Sequence, residues 1–320
     1  MNNRFLCALI CLCLLSGCGG KPEAAERPGA AYFQTYYKDK ETPARLDPEE
    51  LQKMASSTHG SIVDTEELTV EVDGALFCGN TVEIALRVTA KELDSVLDDN
   101  GVRYKFGDEC ALLMIDTLAR NCYALDLSSS YCDTDESLAP NQFLLHYRFN
   151  TRVPLEMETL TVPLQDFGHF NERWRFVPLY EGDWQVPIAV DPAADLSRHL
   201  TPQTELTAGD YRFTVEDIRL TPLSCFVRLH FQGDDAFLEE NAEEIAQLLA
   251  DGCETLALLF ADGEALTPGM AALAGSAEDM MAWQGDLHDE YYIGFYTKAP
   301  ADMEKMASLK LFGTEISLQE

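Results

Sequence analysis

The chain has 320 residues, of which 55 are acidic and 23 are basic, so its formal net charge is −32 at pH 7. With 46% hydrophobic and 24% charged residues, the composition is that of a globular protein of at most two or three domains, not of a disordered chain. The charge argues against a nucleic-acid-binding protein, since such proteins need a basic surface to neutralise phosphates. It also argues against electrostatic adsorption to anionic lipid or cell-wall polymer.

Residues 1–17 are predicted to be a lipoprotein signal peptide. A short polar start with one positive charge, Arg4, precedes eleven apolar residues, Phe5 to Leu15. This run is too short to span a bilayer but suits the hydrophobic region of a secretory signal. The residues Leu15-Ser16-Gly17-Cys18 resemble the lipobox of bacterial lipoproteins, which implies cleavage before Cys18 and a diacylglyceryl group on its thiol.

The anchor predicts where the protein is located. Two acyl chains hold a protein firmly on a bilayer, so we expect the extracytoplasmic face of the cell membrane. The alternative is an ordinary signal peptide that happens to contain a cysteine. Residues 18–60 hold four prolines, many charges and no sustained periodicity, and we predict a flexible tether there, with a short helix at 49–54 as an alternative for that part.

After Gly60, alternating apolar and polar residues predict antiparallel strands. Leu68-Val70-Val72 is followed, after Gly79-Asn80, by the alternating run 82–88. Strands that recur without intervening amphipathic helices are typical of β-sandwiches. We therefore predict a mainly β fold of two tandem immunoglobulin-like β-sandwiches with a few short helices. The N-terminal sandwich comprises residues 61–182 and the C-terminal, immunoglobulin-like one residues 183–320.

Other elements follow from the same patterns. Further strands are predicted at 112–115, 143–149, 160–164, 174–178, 184–190, 291–296 and 309–318, with a hairpin at 256–266. Helices are predicted at 239–249, where a glycine follows the last apolar position, and more briefly at 301–307.

The two predicted sandwiches begin alike, which indicates an internal duplication. Leu68-Thr69-Val70-Glu71 recurs 145 residues later as Phe213-Thr214-Val215-Glu216, and Ile84 to Val88 recurs 143 residues later as Val227 to Phe231. Chance matches between two amphipathic hairpins are common, so the alternative is two unrelated hairpins.

Two stretches resemble known domains. The sequence LTVEVDGALFCGNTVEIALRV, which starts at Leu68, resembles the beginning of an uncharacterised extracellular domain in anti-sigma-factor-like membrane proteins of Gram-positive bacteria. The segments 183–188, 204–206, 213–216 and 220–222 are similar to the immunoglobulin-like domain that usually follows it.

The resemblance covers about residues 60–320 and implies two sandwich modules with a role at the envelope, in sensing or regulation. It carries no catalytic residues. The lipobox here replaces the transmembrane helix of that family, and no cytoplasmic region is recognised, so a direct anti-sigma role is in doubt.

No sequence motif predicts a reaction class. The chain lacks the metalloprotease, nucleophile-elbow, phosphate-loop and C-x-x-C patterns. Its histidines are scattered, and we interpret each as a surface or structural residue. They are His59, His146, His169, His199, His230 and His288. No catalytic residue, cofactor or metal is therefore predicted.

The cysteines that follow Cys18 leave two alternatives. An even number of cysteines outside a cell permits disulfides, and if each domain pairs internally, Cys225–Cys253 closes the second one. The other alternative is free buried thiols. The six are Cys78, Cys110, Cys122, Cys132, Cys225 and Cys253.

Acidic and aromatic clusters are weaker candidates for binding. The carboxylates of 133–136, with Asp126 nearby, could bind calcium, but the glycine and terminal glutamate of an EF-hand are missing, and a solvated loop is favoured. The same holds for Asp286, Asp289 and Glu290. Aromatic residues of the predicted tether, Tyr32, Phe33, Tyr36 and Tyr37, are the better interaction candidates. Those late in the chain, Trp283, Tyr291, Tyr292 and Tyr296, are more typical of a core.

We therefore predict a non-catalytic cell-envelope lipoprotein, attached to the membrane through a lipid on Cys18. Its two β-sandwich modules are expected to bind an envelope protein or a small ligand, as an accessory of envelope signalling. No nucleic-acid partner is expected. The alternative is a hydrolase that acts on cell wall or glycan through a carboxylate pair between the domains.

Overall fold

A computed structural model describes residues 27–98, 101–107, 128–132, 138–151, 154–173, 175–233, 235–267 and 290–319. These residues form a mainly β protein of antiparallel sheets with few helices, as the alternating sequence patterns predict. In this part of the chain, no helix is both long enough and apolar enough to cross a membrane.

The first module contains two sheets around one core. One sheet has the order β1-β2-β3-β6-β5 and the other the order β4-β7-β8. Phe143, Phe149 and Phe167 are among the fully buried side chains between them. The strands are β1 Gly60–Asp64, β2 Leu68–Cys78, β3 Thr81–Ala90, β4 Lys105–Phe106, β5 Ser128–Cys132, β6 Gln142–Asn150, β7 Thr159–Phe170 and β8 Phe176–Ala189.

The second module repeats this plan. Its sheets have the orders β10-β11-β12-β15, with β9 also beside β11, and β14-β13-β16-β17. A helix, α3 (Asp235–Thr255, kinked at Asn241), packs against it and runs through Gly252 to Thr255, beyond the end predicted from the sequence. The strands are β9 Arg198–Leu200, β10 Thr204–Ala208, β11 Tyr211–Thr221, β12 Ser224–Phe231, β13 Ala257–Phe260, β14 Ala265–Leu266, β15 Glu290–Tyr296, β16 Met306–Leu311 and β17 Thr314–Ser317. The helix α3 spans Asp235–Thr255, and the region predicted as a short helix holds one 3₁₀ turn, Met303–Lys305.

The two modules share a strand connectivity. In each, three antiparallel strands are followed by a strand in the opposite sheet, a return strand beside the third, and a final hairpin in the opposite sheet. A β-bulge interrupts the first hairpin at Asp73 in one module and at Glu216 in the other. Because Val72 faces Leu86 and Val215 faces Leu229, the equivalent positions differ by 143 residues on both strands. The offset of 145 expected for the first strand is therefore wrong by two residues.

The N-terminal segment corrects the prediction of a flexible tether over 18–60. Residues from Arg27 onward hold two helices, α1 Pro28–Tyr37 and α2 Pro48–Met54, each with a proline in its first turn. Phe33 and Met54 are fully buried, because both helices pack on the outer face of β2. Burial of these apolar side chains outweighs the coil tendency of the prolines and charges. Residues 1–26 lie outside the described part of the chain.

The boundary between the modules also differs from the prediction. The expected boundary at residue 183 falls within β8, which pairs with β7 along its whole length. Val186 and Ile188 are fully buried in the core of the first module. The first module therefore ends after Ala189, and the immunoglobulin-like class of the second stays a prediction.

Candidate functional site

The junction between the modules begins with a buried polar cluster where two hairpin turns meet. The Thr81 hydroxyl lies 2.6 Å from the hydroxyl of Ser224 and 3.0 Å from that of Thr221. It donates to Asn150 Oδ1 over 2.7 Å. All four side chains are at most 2% exposed. Thr81 and Ser224 are equivalent positions, so the junction brings together the same corner of both modules.

A buried ion pair extends this junction toward the N-terminal segment. Arg148 Nη2 donates to Glu83 Oε1 over 2.9 Å and also to the hydroxyl of Tyr37, which donates to the same carboxylate. Arg148 Nη1 donates to the carbonyl of Thr297 in the second module over 3.2 Å. One guanidinium therefore connects helix α1, the first module and the second module.

The environment of this pair explains its protonation state. Burial alone would lower the pKa of Arg148, but the Glu83 carboxylate more than compensates and raises it. Burial raises the pKa of Tyr37 well above its usual range, and Glu83 adds to this effect. Arg148 is therefore a cation and Tyr37 a neutral donor, which is the state that these hydrogen bonds require.

His146 lies beside this network, under helix α1. Its Nε2 is 2.5 Å from the hydroxyl of Tyr32, and its ring is 4.7 Å from that of Tyr36. Burial lowers the pKa of His146 to about 4. At neutral pH the ring is therefore uncharged and serves as a structural residue, as expected from the sequence.

Next to the junction, an open cleft of about 780 Å³ separates helix α2 from the second module. Its size is within the range of ligand-binding pockets, which often lie between domains. Leu46, Leu196 and Met306 are among its apolar lining residues. Five carboxylates and two basic side chains also line it, so its formal charge is 2 − 5 = −3. These are Asp47, Glu50, Asp195, Asp302 and Glu304, with Lys53 and Arg198.

Most charged groups in the cleft also have a structural role. Asp47, Asp195 and Asp302 each accept a hydrogen bond from a backbone N–H two residues later, and so stabilise local turns. Arg198 donates to the carbonyls of Met303 and Leu318. Lys53 pairs with Glu50, and Lys305 pairs with Asp302 at 3.0 Å. With Lys305 included the formal charge at the cleft is −2, which favours cations.

Most of the candidate residues from the sequence lie away from the cleft. Several candidates are outside the described residues: Cys18, Asp126, the carboxylates of 133–136, Trp283, Asp286, His288 and Asp289. Glu290 lies 3.4 Å from Arg228 on the second module. In the described part of the chain, no three His, Cys, Asp or Glu side chains are grouped to hold a metal ion.

The aromatic cluster predicted for interaction is largely core. Phe33 and Tyr37 are fully buried between helix α1 and the first module, and therefore cannot contact a partner. The aromatic residues late in the chain, which are predicted as core, are only partly so. Tyr291 is buried, whereas Tyr292 and Tyr296 are half-buried on the outer sheet face.

Two of the cysteines are free, buried thiols. Burial raises the pKa of both Cys78 and Cys225, so neither is reactive at neutral pH. The pairing Cys225–Cys253 that the sequence left open is therefore not formed. The Cys78 thiol lies 3.7 Å from Asp195, at the edge of the cleft.

Comparison with known proteins identifies no family. The chain matches no protein-family model and no curated protein. Among solved structures, it is similar to one described as the crystal structure of the conserved domain protein from Bacillus anthracis. The identity is 10%, the match covers 85% of this chain and 81% of that chain, and the TM-score is 0.49.

Proposed function

We propose that the protein is a non-catalytic cell-envelope lipoprotein that binds a cationic, partly apolar ligand in the cleft between its modules. A basic segment of an envelope protein has this chemistry. The observation that carries the proposal is the cleft itself, with its excess of carboxylates beside the half-buried Leu196. Anchoring at the extracytoplasmic face through a lipid on Cys18 is part of the proposal and is supported by the lipobox.

The junction supports a binding role because it fixes the walls of the cleft. A site on a rigid scaffold loses little conformational freedom when it binds. Leu46 N donates to the carbonyl of Pro300 over 2.9 Å, and Asp302 N donates to that of Ala44 over 2.8 Å. The N-terminal segment is therefore held to the second module at the cleft, in addition to its packing on the first.

The test combines in-cell cross-linking with cleft variants of the full, lipidated chain. Glu304 and Gln319 are exposed in the cleft, and Glu304→Arg with Gln319→Arg would bring the formal charge of its lining from −3 to zero while leaving the three turn-stabilising aspartates in place. The matched control is Glu264→Arg, an exposed position on the β13–β14 turn. A partner that is lost with the cleft variant and kept with the control supports the proposal. Equal recovery of the partner from both would disprove binding at the cleft.

Lipidation has a separate test. Palmitate labelling should be present in the natural chain and absent from Cys18→Ser, because the Cys18 sulfur is the atom that carries the diacylglyceryl group. Labelling that persists in the variant would contradict the anchor and leave the cleft hypothesis untouched.

The hydrolase remains a second candidate because the carboxylates gather at the inter-module cleft. Retaining and inverting glycosidases need two carboxyl groups across the scissile bond. A glycan panel that is hydrolysed by the natural chain, with activity abolished in Asp195→Asn or Asp302→Asn, would replace the binding proposal. Turn-stabilising roles alone predict that both variants only lower stability.

A further inference from the structure

One wall of the cleft belongs to the N-terminal segment. Leu46 and helix α2 line one side of the cleft, and residues of 302–306 in the second module line the other. Backbone hydrogen bonds join the two sides, and Leu46 N to the carbonyl of Pro300 is one of them. We call residues 27–55, which include both helices of the segment, the strap. The cleft therefore has this shape only while the strap is docked on both modules.

The strap is one connected unit. Arg27 N donates to Gln52 Oε1 over 2.9 Å, and the Arg27 guanidinium donates to the carbonyl of Ala55, so the two ends of the strap are joined. Phe33 of helix α1 and Met54 of helix α2 are buried in the same apolar cluster. Loss of helix α1 from the first module would therefore also loosen helix α2, which is the cleft wall.

His146 lies at the surface where helix α1 docks. It is 5% exposed, the Tyr32 hydroxyl is 2.5 Å from its Nε2, and the Tyr36 ring centroid is 4.7 Å from its own. The position that pairs with it on β5 is Ser130, which carries no titratable group. A proton on His146 would place a charge between helix and sheet, away from the water that would hydrate it. Docking of the strap and protonation of His146 therefore oppose each other.

The charged groups around His146 do not offset this cost. Lys40, which follows helix α1, and Arg148 on β6 both disfavour another positive charge. Glu83 on β3 and Asp73 on β2 favour it, but each of these carboxylates already forms an ion pair with an arginine, over 2.9 and 2.8 Å. Burial is the largest contribution, and the strap supplies the two tyrosine rings that cover His146.

We propose that the strap is an acid-sensitive switch: a proton on His146 releases it from the first module and so removes one wall of the cleft. The consequence for binding, which is release of a cleft ligand in acid, rests on the proposed function. By linkage, a ligand that needs the complete cleft would in turn hold the strap in its docked position.

The direction of the pH response follows from the two states of His146. Burial lowers the pKa of His146 to about 4 while the strap is docked, against an ordinary value of 6.5. Because a ring in contact with water has a pKa near the ordinary value, the undocked state binds the proton first as the pH falls. Docking is therefore undisturbed above pH 6.5 and weakens progressively down to pH 4. Between about pH 7.5 and about pH 5, the ratio of undocked to docked chain should rise roughly 25-fold.

Other contacts of the strap keep their charge states in this range. Burial raises the pKa of Tyr37 well above its usual range, so its hydroxyl stays neutral. Burial alone would raise the pKa of Asp191, but hydrogen bonds from Ser57 and Arg27 more than compensate and hold it below the ordinary value of 3.8. The contact of Arg27 with Asp191 therefore persists where His146 titrates.

Hydrogen exchange of the full, lipidated chain in neutral detergent, at about pH 7.5 and about pH 5, tests the switch. After correction for the intrinsic exchange rate, the amides of helix α1, helix α2 and Leu46 should open roughly 25-fold more often at the lower pH. In His146→Gln this increase should be lost, because glutamine does not titrate. The matched control, His230→Gln, replaces a half-buried histidine of the second module and should respond like the natural chain.

Two exchange results would overturn the proposal. One is an equal pH response in the natural chain and in His146→Gln. The other is a response confined to helix α1, with Leu46 unchanged, because the cleft wall would then stay in place. If His146→Gln does not fold, histidine NMR of the natural chain decides: a titration midpoint of His146 near 4 supports the switch, and one near 6.5 overturns it.

The exchange test uses no cleft ligand, so its outcome is independent of the proposed function. Cross-linking at the same two pH values then connects them. A partner captured at the higher pH should be lost at the lower pH from the natural chain and kept by His146→Gln. A partner that both chains keep at the lower pH would overturn control of the cleft by the strap. Absence of any partner at either pH would contradict the proposed function and not the switch.

Discussion

The outer sheet faces of the two modules differ although the hairpin β2–β3 of the first corresponds to the hairpin β11–β12 of the second. In the first module, Leu76 and Ala85 lie on this face and are fully buried beneath the N-terminal segment. The positions 143 residues later are Arg219 and Arg228, which are only half-buried. The outer face that carries Leu76 and Ala85 is covered by helices because apolar side chains are stabilised by burial. The outer face that carries Arg219 and Arg228 is stable in contact with water and requires no cover.

A glycine shows how close this cover lies. A Cβ on Gly74 would be 2.5 Å from the carbonyl oxygen of Gly29 in helix α1, so only glycine permits the contact. The equivalent residue in the second module is Asp217, whose carboxylate pairs with Arg219 over 2.8 Å. Backbone-to-backbone packing in one module is replaced by an ion pair in the other.

The largest expected effect is on the buried ion pair under the cover. Glu83→Ala leaves the Arg148 guanidinium buried without its carboxylate, and should lower the free energy of unfolding by roughly 3–5 kcal/mol. Urea denaturation measures it. The double variant Glu83→Leu with Arg148→Met removes both charges and should recover much of the loss; a double variant as unstable as the single one would show that the ion pair itself is not the source.

Leu76→Ala tests the apolar face beneath the helices. The truncation leaves a cavity under helix α1 and should cost about 3–4 kcal/mol. Urea denaturation again gives the value. A cost below about 1 kcal/mol would mean that the helices pack loosely on this face and that it is not a true core.

Acid should destabilise the covered face through His146. Its pKa is about 4 in the folded protein and 6.5 as the ordinary value, so the unfolded chain binds the proton first as the pH falls. Stability from this group is complete above pH 6.5 and is lost between pH 6.5 and 4, by about 2–3 kcal/mol. The measurement is the difference in slope of unfolding free energy against pH between the natural chain and His146→Gln. Parallel slopes would show that His146 titrates normally.

The smallest effect is expected on the uncovered face. Arg228 is 31% exposed and pairs with Glu216 and Glu290 at 3.4 Å. Arg228→Ala should therefore change stability by only about 0–1 kcal/mol. A loss as large as that of Glu83→Ala, measured in the same urea titration, would abolish the distinction between the two faces.

The sequence predicted the hairpins well but failed for the N-terminal segment. Alternation between Val82 and Val88 predicts the strand and the face that enters the core. It does not predict that Glu83 and Ala85, on the other face, are buried as well. Ala30, Phe33 and Tyr37 have helical spacing, a signal that the prediction of a tether does not use. The short helix at 49–54, given as an alternative, corresponds to α2.

The candidate site could not be predicted in the same way. The contact of Arg148 with the Thr297 carbonyl joins residues 149 positions apart, and the cleft combines helix α2 with the second module. No periodicity encodes such contacts, because they depend on how two finished modules pack.

The position of Arg27 has a mechanical consequence. Its guanidinium donates to the carbonyl of Ala55, just after helix α2, and to that of Asp191, just after β8. A pull on the preceding chain would therefore be shared between these two points of the first module before helix α1 is loaded. Tension would therefore have to break the hydrogen bonds of the Arg27 guanidinium first. Until they break, a small force does not reach helix α1 or the junction between the modules.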